Sequence, residues 1–337
     1  MPVQPGGSNL YVSAPLTNIS VAYQQGPDGR NFIADRAFPV VPVSRQGDLY
    51  WKYNKGDWFR GQAEKRAPAT ESAGGGWEVE TDSYFAHVYA FHKDLDDQTR
   101  ANASSMFNLD RDSTLFVTQN LLQKRESLFV NSFLTTGVWT GSTGIGGGAN
   151  GADLTGAASA GSNQFVQFDR SGSDPIVLVN QQMVGMARTT GYRPNTIVMG
   201  PLVMTALQNN TSILERIKYS ERGIITEDLL RAVFNVDRVL VTWGIENTAN
   251  QGGTDAFDFM SGRDMLLCYT APNPAIMQPT AGYIFAWSGF MGAGAYATRI
   301  KRFRMEAIES DRIEGQMAFD MKVVSPDLGV FMASAVQ

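Results

Sequence analysis

The sequence has one cysteine, Cys268, and two histidines, His87 and His92, in 337 residues. One cysteine excludes an intrachain disulfide and a cysteine-based metal site, and it fits a protein made and kept in a reducing cytoplasm. Cys268 lies in an apolar run and reads as a small buried hydrophobe. The histidines stand five positions apart on a predicted strand. That puts them on opposite faces, where they cannot share a metal. A Ser-His-Asp or Cys-His relay would have to use one of them, and the convergent polar groups of a catalytic pocket cannot be assembled from so few. No enzyme activity and no cofactor are expected. Asp94, Asp96 and Asp97, in KDLDDQT, read as helix capping and charge rather than a cation site. The start, MPVQPGGSNLYVSAP, lacks the basic and apolar regions of a signal peptide, and no apolar run reaches membrane-spanning length. Charge is also sparse: 18% of residues, with a net charge of −5 and a pI near 5.2. That argues against a basic surface wrapped by nucleic acid, while permitting one that encloses nucleic acid without gripping it.

What is present begins with residues 108–137, NLDRDSTLFVTQNLLQKRESLFVNSFLTTG. The stretch has no proline and no glycine before Gly137. Leu115, Leu122, Phe129 and Phe133 fall on one line of a helix; Val117, Leu121 and Leu128 on a second; Phe116, Val130 and Leu134 on a third. Asn120, Lys124, Ser127 and Asn131 share the polar strip. Asp110, Asp112 and Ser113 suit the N-terminal turn and Gly137 the C-terminal cap. About 22 residues make a rod of roughly 33 Å. A rod apolar on most sides must be covered on most sides.

Upstream, residues 1–44 carry Pro2, Pro5, Pro15, Pro27, Pro39 and Pro42, which break helices and remove ladder donors. Scattered apolar residues such as Leu10, Tyr11, Ile19, Phe32 and Phe38 predict an extended arm laid along its own body or a neighbour. Residues 48–93 predict a long two-stranded ribbon. Its limbs are DLYWKYNKGDWFR, with Leu49, Trp51 and Tyr53 on one face, and WEVETDSYFAHVYAFH, with Trp77, Val79, Thr81, Phe85, His87, Tyr89 and Phe91 on one face. A loose, glycine-rich tip joins them. A ribbon of this kind cannot bury its aromatic face alone and needs a surface to lie on.

After the long helix, the small-residue tract 141–163 predicts a flexible connector. It follows a helix and has no lysine, so it lacks the context of a phosphate-cradling loop. From Ser173 the pattern is mixed α/β. It shows a helix with Pro175 in its first turn and Gly191 past its end, a buried strand NTIVMG, helices opening at Pro201 and in TSILERIKYS, and a helix N-capped by Thr226. Strands RVLVTWGIE and DMLLCYT follow, separated by a polar hairpin-like segment. AYATRIKRFRMEAIES and RIEGQMAFDMKVVS predict two long strands joined near Asp311, and LGVFMASAV a last one.

This order of parts resembles the tailed-bacteriophage major capsid proteins of the Hong Kong ninety-seven type. The resemblance is carried by FIADRAFPVVPVSRQGDLYWKY leading into the ribbon, by the helix 108–137, by TTGYRPNTIVMGPLVMTALQNNTSILERIKYS, and by RFRMEAIESDRIEGQMAFDMKVVSPDLGVFMAS. It covers nearly the whole chain and rests on architecture, because the family has no short diagnostic motif. It implies an α+β fold with an N-terminal arm (1–47), an extended β-ribbon loop (48–94) and a spine helix and connector of a peripheral domain (95–172). An axial domain (173–290), a long peripheral β hairpin (291–326) and a final strand returning to the axial domain (327–337) complete it.

The resemblance further implies self-assembly into pentamers and hexamers of an icosahedral head shell that encloses double-stranded DNA without sequence-specific contacts. The shell would be made in the host bacterial cytoplasm, with portal and decoration proteins as partners and no membrane. Some members begin with a helical scaffolding segment; here the chain enters its arm directly, so scaffolding is expected from a separate protein. Lys52, Lys55 and Lys65 lie where some members crosslink subunits, but no acceptor is identifiable and no crosslinks are expected.

Trp51, Tyr53, Trp58, Arg60, Trp77, Arg302 and Arg304 are the expected subunit-interface residues, the tryptophans as anchors. Lys301, Arg302 and Arg304 are expected to pair with carboxylates of a neighbour, leaving an inner surface that is neutral to acidic. An encapsulin-like compartment shell is the alternative, disfavoured by the proline-studded arm. A soluble α/β enzyme or binding protein stands further off.

Overall fold

The long helix runs Leu109–Phe133 in the computed structural model, which describes residues 11–12, 31–102, 108–218, 225–250, 252–274, 277–291 and 298–337. The expected arm lies outside the described residues except at 11–12 and from residue 31 onward. Asn108 caps the helix, its Oδ1 accepting from Arg111 N at 3.1 Å. The helix stops short of Gly137, contrary to the sequence expectation. The Trp139 indole donates to the last helical carbonyl, Phe133 O, at 2.7 Å, so a side chain rather than a left-handed glycine satisfies the C-terminus. The turn then carries Trp139 back against Phe133 and Phe38.

The strands in chain order are β1 (Tyr11–Val12), β2 (Val40–Val43), β3 (Gly47–Tyr53), β4 (Val79–Phe85), β5 (His87–Asp96), β6 (Leu154–Ala157), β7 (Gln164–Val166) and β8 (Thr196–Met199). They continue as β9 (Arg238–Val241), β10 (Ile245–Asn247), β11 (Phe257–Phe259), β12 (Met265–Cys268), β13 (Gly282–Trp287), β14 (Thr298–Met305), β15 (Ser310–Val323) and β16 (Gly329–Ala333). One sheet has the order β1-β14-β15-β13-β2, with β5 also paired to β15. A second has the order β7-β6-β16-β12-β8-β9. The pairs β3–β4 and β10–β11 stand apart as two-stranded ribbons.

The long helix lies across the first sheet, and Gly315 on β15 lets it approach. A Cβ there would fall 2.6 Å from Leu121 Cδ1 and 2.7 Å from Val117 Cγ1. Between the helix and both sheets sits one core, in which Phe129, Phe133, Phe38 and Trp139 meet Leu266 and Cys268 from the second sheet and Ile284 and Phe319 from the first. The second sheet's other face builds a separate core from Ile197, Met199, Met265 and Leu267. It is covered by the helices Pro175–Thr190, Pro201–Asn209, Thr211–Ile217 and Glu227–Phe234, whose expected caps Gly191 and Thr226 are in place. Because β8 and β12 are covered on both faces, they read as unbroken apolar runs.

Other expectations change as well. The second ribbon limb breaks at buried Ala86: β4 pairs with β3, but β5 pairs with β15 in the first sheet. The exposed odd-numbered face of β4 thus gives way to a β5 whose Tyr89 and Phe91 pack on the core. The first limb ends in a helical turn, Lys55–Trp58, started by the Asn54 side chain. The tract 141–163 is not a flexible connector. It is held by Thr143 N donating to Gln182 Oε1 at 2.8 Å and Asn163 N to Ile145 O at 2.9 Å, and it supplies β6 to the second sheet. Gly148 is needed there because a Cβ would sit 2.6 Å from the Asn163 backbone N. Finally, β14 and β15 are joined through the short 3-10 turn Glu306–Ile308 rather than at Asp311. β13, inside the segment 173–290, pairs with β15 in the first sheet.

Candidate assembly surfaces

The β3–β4 ribbon has two unlike faces, and its register shows why. Leu49, Trp51 and Tyr53 stand opposite Ser83, Thr81 and Val79; Tyr50 and Lys52 stand opposite Asp82 and Glu80. The inner face is anchored. Tyr84 stacks on Phe285 of β13 at 4.5 Å, and Tyr50 Oη donates to Asp82 Oδ2 at 2.9 Å. Burial, and then the Asp82 hydrogen bond, pushes the Tyr50 phenol well above its usual range. Lys52 and Lys322 approach the same Asp82 at 3.8 and 3.6 Å, and Lys55 pairs with Asp327.

Among the described residues, the outer face has no such cover. Trp51 is 69% exposed, Trp77 61%, Trp58 51% and Tyr53 38%. Tyr53, Trp58 and Trp77 form one cluster, with ring centroids 6.3 and 5.8 Å apart. Arg60 stands at its margin, 3.9 Å from Asp57. Three of the expected interface residues are therefore in one exposed cluster, with Trp51 on the same strand face as Tyr53.

Arg302 and Arg304 are elsewhere, and each pairs with carboxylates of its own chain. Arg302 donates to Asp311 Oδ2 at 2.8 Å and to Asp110 Oδ2 at 3.3 Å. Arg304 donates to Asp97 Oδ1 at 2.7 Å. Arg100 bridges Asp110 and Asp311 at 3.0 Å each. These pairs knit β14 and β15 to the start of the long helix inside one chain. Alternation along a strand marks which face a charge is on; it does not say whose carboxylate it meets. Hydrogen bonding from Arg302 holds the Asp311 carboxyl below its usual range, and Arg304 does the same for Asp97. The Arg312 fork lowers Asp94, at 2.7 and 2.8 Å. Asp96 caps the following helical turn by accepting from Thr99 N.

His87 packs on the Phe85 ring and His92 lies 3.9 Å from Asp94. Cys268 is fully buried, its thiol pushed up to about 12 by burial, with Arg238 opposing. Among the described residues, no group of three or more His, Cys, Asp or Glu could hold a metal ion, and no helix is long and apolar enough to cross a membrane.

Sequence reasoning missed Glu126, which is 0% exposed in the middle of the long helix. Its Oε2 accepts from Ile33 N at 3.0 Å and Ala34 N at 2.9 Å, and its Oε1 from Thr242 Oγ1 at 2.9 Å. The signal was present: position 126 is one helical turn from both Leu122 and Phe129, on the apolar stripe.

A sheet carrying a long helix, a second mixed sheet under helices, and a projecting ribbon are found together in known structures. A phage-related protein from Bordetella bronchiseptica superposes over 97% of this chain and 98% of its own, with a TM-score of 0.68 at 18% identity. The bacteriophage PhiM1 mature capsid matches over 90% and 87%, with a TM-score of 0.57 at 12% identity. The chain has the Hong Kong ninety-seven type capsid fold. In sequence, a major capsid protein of Burkholderia phage BcepMu is 23% identical over 303 residues, 88% of this chain and 90% of that one. No family model matches. In the terms of the capsid fold, Leu109–Phe133 is the spine helix and β3–β4 the extended loop.

Proposed function

We propose that this chain is a major capsid protein that self-assembles into the icosahedral head shell of a tailed bacteriophage around packaged double-stranded DNA. The observation that carries the reading is the outer ribbon face. On a capsid fold, an aromatic surface of this kind, uncovered by its own chain, calls for a second copy to cover it. In this reading Trp51, Tyr53, Trp58, Arg60 and Trp77 are buried between subunits of pentamers and hexamers. The second sheet with its helices serves as the axial domain, and the first sheet with the spine helix as the peripheral domain. Scaffolding comes from a separate protein, portal and decoration proteins complete the head, and synthesis takes place in the host cytoplasm. The protein carries out no catalysis. An overall acidic chain suits a container past which DNA slides, since a shell neutralising many phosphates would hold the genome fast.

The test is to express the chain, purify particles and image them. Closed shells of uniform size support the reading, and a small soluble oligomer at all concentrations overturns it. Shells filled with a protein cargo rather than DNA, when isolated from infected cells, would favour the encapsulin-like alternative.

A further inference from the structure

The buried Glu126 joins three segments that are distant in sequence. Its carboxylate takes two consecutive backbone N–H groups, those of Ile33 and Ala34, as the chain enters the body from its N-terminal side. It also takes the hydroxyl of Thr242, which follows β9 and precedes the β10–β11 hairpin. Around Gly244, at the foot of that hairpin, lie Glu126 Cγ, Asn31 O and Met260 Sδ, and Met260 N donates to Gly244 O at 2.9 Å. The charged groups close by are Arg125 on the same helix and Asp35, which lie 3.7 Å apart. From the hairpin side Thr242, Gly244 and Met260, all uncharged, lie beside it, and the hairpin's own carboxylates Glu246 and Asp258 stand opposite each other in the β10–β11 register.

We infer that Glu126 is a clasp coupling the segment 31–38 to the foot of the β10–β11 hairpin, so that loosening either one loosens the other. The physical reason is shared cost. Without the Thr242 hydroxyl, the Glu126 carboxyl keeps an unsatisfied oxygen in a buried site, a cost relieved when the side chain swings toward water and away from the Ile33 and Ala34 amides. Buried amides without an acceptor in turn carry the full cost of their desolvation.

The clasp is also linked to a proton. Burial holds the Glu126 carboxyl above the usual glutamate range, with the Ala34 and Ile33 amides, Thr242 and Arg125 opposing. A group raised in the closed state contributes most below its ordinary value, and the contribution is lost as pH rises through the raised value. Opening therefore releases a proton and becomes easier as pH rises. The geometry accommodates the neutral acid: one oxygen accepts both amides while the other donates to Thr242 Oγ1. Glutamine reproduces that pattern, its carbonyl accepting and its NH2 donating, without a titrating group. The coupling belongs to the single chain and does not depend on shell formation.

The experiment is hydrogen exchange on the full chain, read at the amides of Ile33 and Ala34 and across 243–247, with each rate divided by its intrinsic value at that pH. Wild type is compared with Glu126→Ala, Glu126→Gln and Thr242→Val. Glu126→Ala is expected to speed exchange at both segments together by about tenfold or more, from the loss of a buried acceptor. Thr242→Val should speed both by about threefold, and it carries the test by itself if Glu126→Ala does not fold. Glu126→Gln should keep both protected and abolish the rise in opening with pH. Thr242→Val loosening only 243–247, or Glu126→Ala loosening only Ile33 and Ala34, overturns the coupling. An unchanged pH trend in Glu126→Gln overturns the proton linkage.

Discussion

The ribbon and the spine helix break the usual pattern of burial in opposite directions. The ribbon leaves Trp51, Trp58 and Trp77 in solvent, while the helix encloses Arg125 and Glu126. The difference lies in where each group's complement comes from. The helix crosses two sheets and the segment 31–38, so its own chain supplies the donors that a buried carboxylate needs. The ribbon is anchored on one face by Tyr50 and Tyr84 against Phe285, and among the described residues its other face stays exposed. Residues of the first kind should govern the stability of the subunit, and those of the second kind its association.

Substitutions can break that comparison, and the largest effect belongs to the core around the helix. Phe133→Ala removes a ring packed within 4.4 Å of Phe38 and should cost about 3–5 kcal/mol in denaturant unfolding. Glu126→Ala is next, at about 2–3 kcal/mol from stranded amide donors, with Glu126→Gln within about 1 kcal/mol of wild type. If alanine were as harmless as glutamine, the buried acid would be a passenger.

Smaller still is the Arg302–Asp311 pair. Arg302→Ala should cost about 0.5–1 kcal/mol, given partly exposed partners. The pair also sets an acid limit. Asp311, held low by Arg302, and Asp94, held low by Arg312, contribute stability that is complete above the ordinary aspartate value, near pH 4. That contribution is lost as pH falls through their depressed values. Urea midpoints between pH 5 and pH 3 should therefore fall more steeply for wild type than for Asp311→Asn.

The smallest effect on the subunit should come from the ribbon. Trp51→Ala, Trp58→Ala and Trp77→Ala, taken one at a time, should each move the unfolding free energy by no more than about 0.5 kcal/mol, yet combined they should prevent particle formation as read by sedimentation. Large destabilisation with normal particles would invert the comparison and place these rings in a core.

The sequence by itself determined the elements with the strongest local signals, though not the turn that Asn54 starts at Lys55. The uninterrupted run after Asn108 dictates the spine helix, Pro175 and Gly191 bracket their helix, and the apolar runs 197–199 and Met265–Cys268 mark strands. The alternation Leu49–Trp51–Tyr53 sets apart the ribbon face that the structure leaves exposed. Tertiary structure alone decided what depends on a partner distant in the chain. Alternation continues unbroken from Val79 to Phe91, but only pairing with β15 turns the limb at Ala86 from ribbon to sheet. A tract of small residues looks flexible until Gln182 and the second sheet hold it. Arg302 and Arg304 have their sign written in the sequence but not the address of their carboxylates. Glu126 reads as one more charge on a helix until the Ile33 and Ala34 amides arrive. Local propensity acts over a turn or a strand pair, whereas the satisfaction of a buried charge or an extended edge is settled by whatever the fold brings within hydrogen-bonding distance.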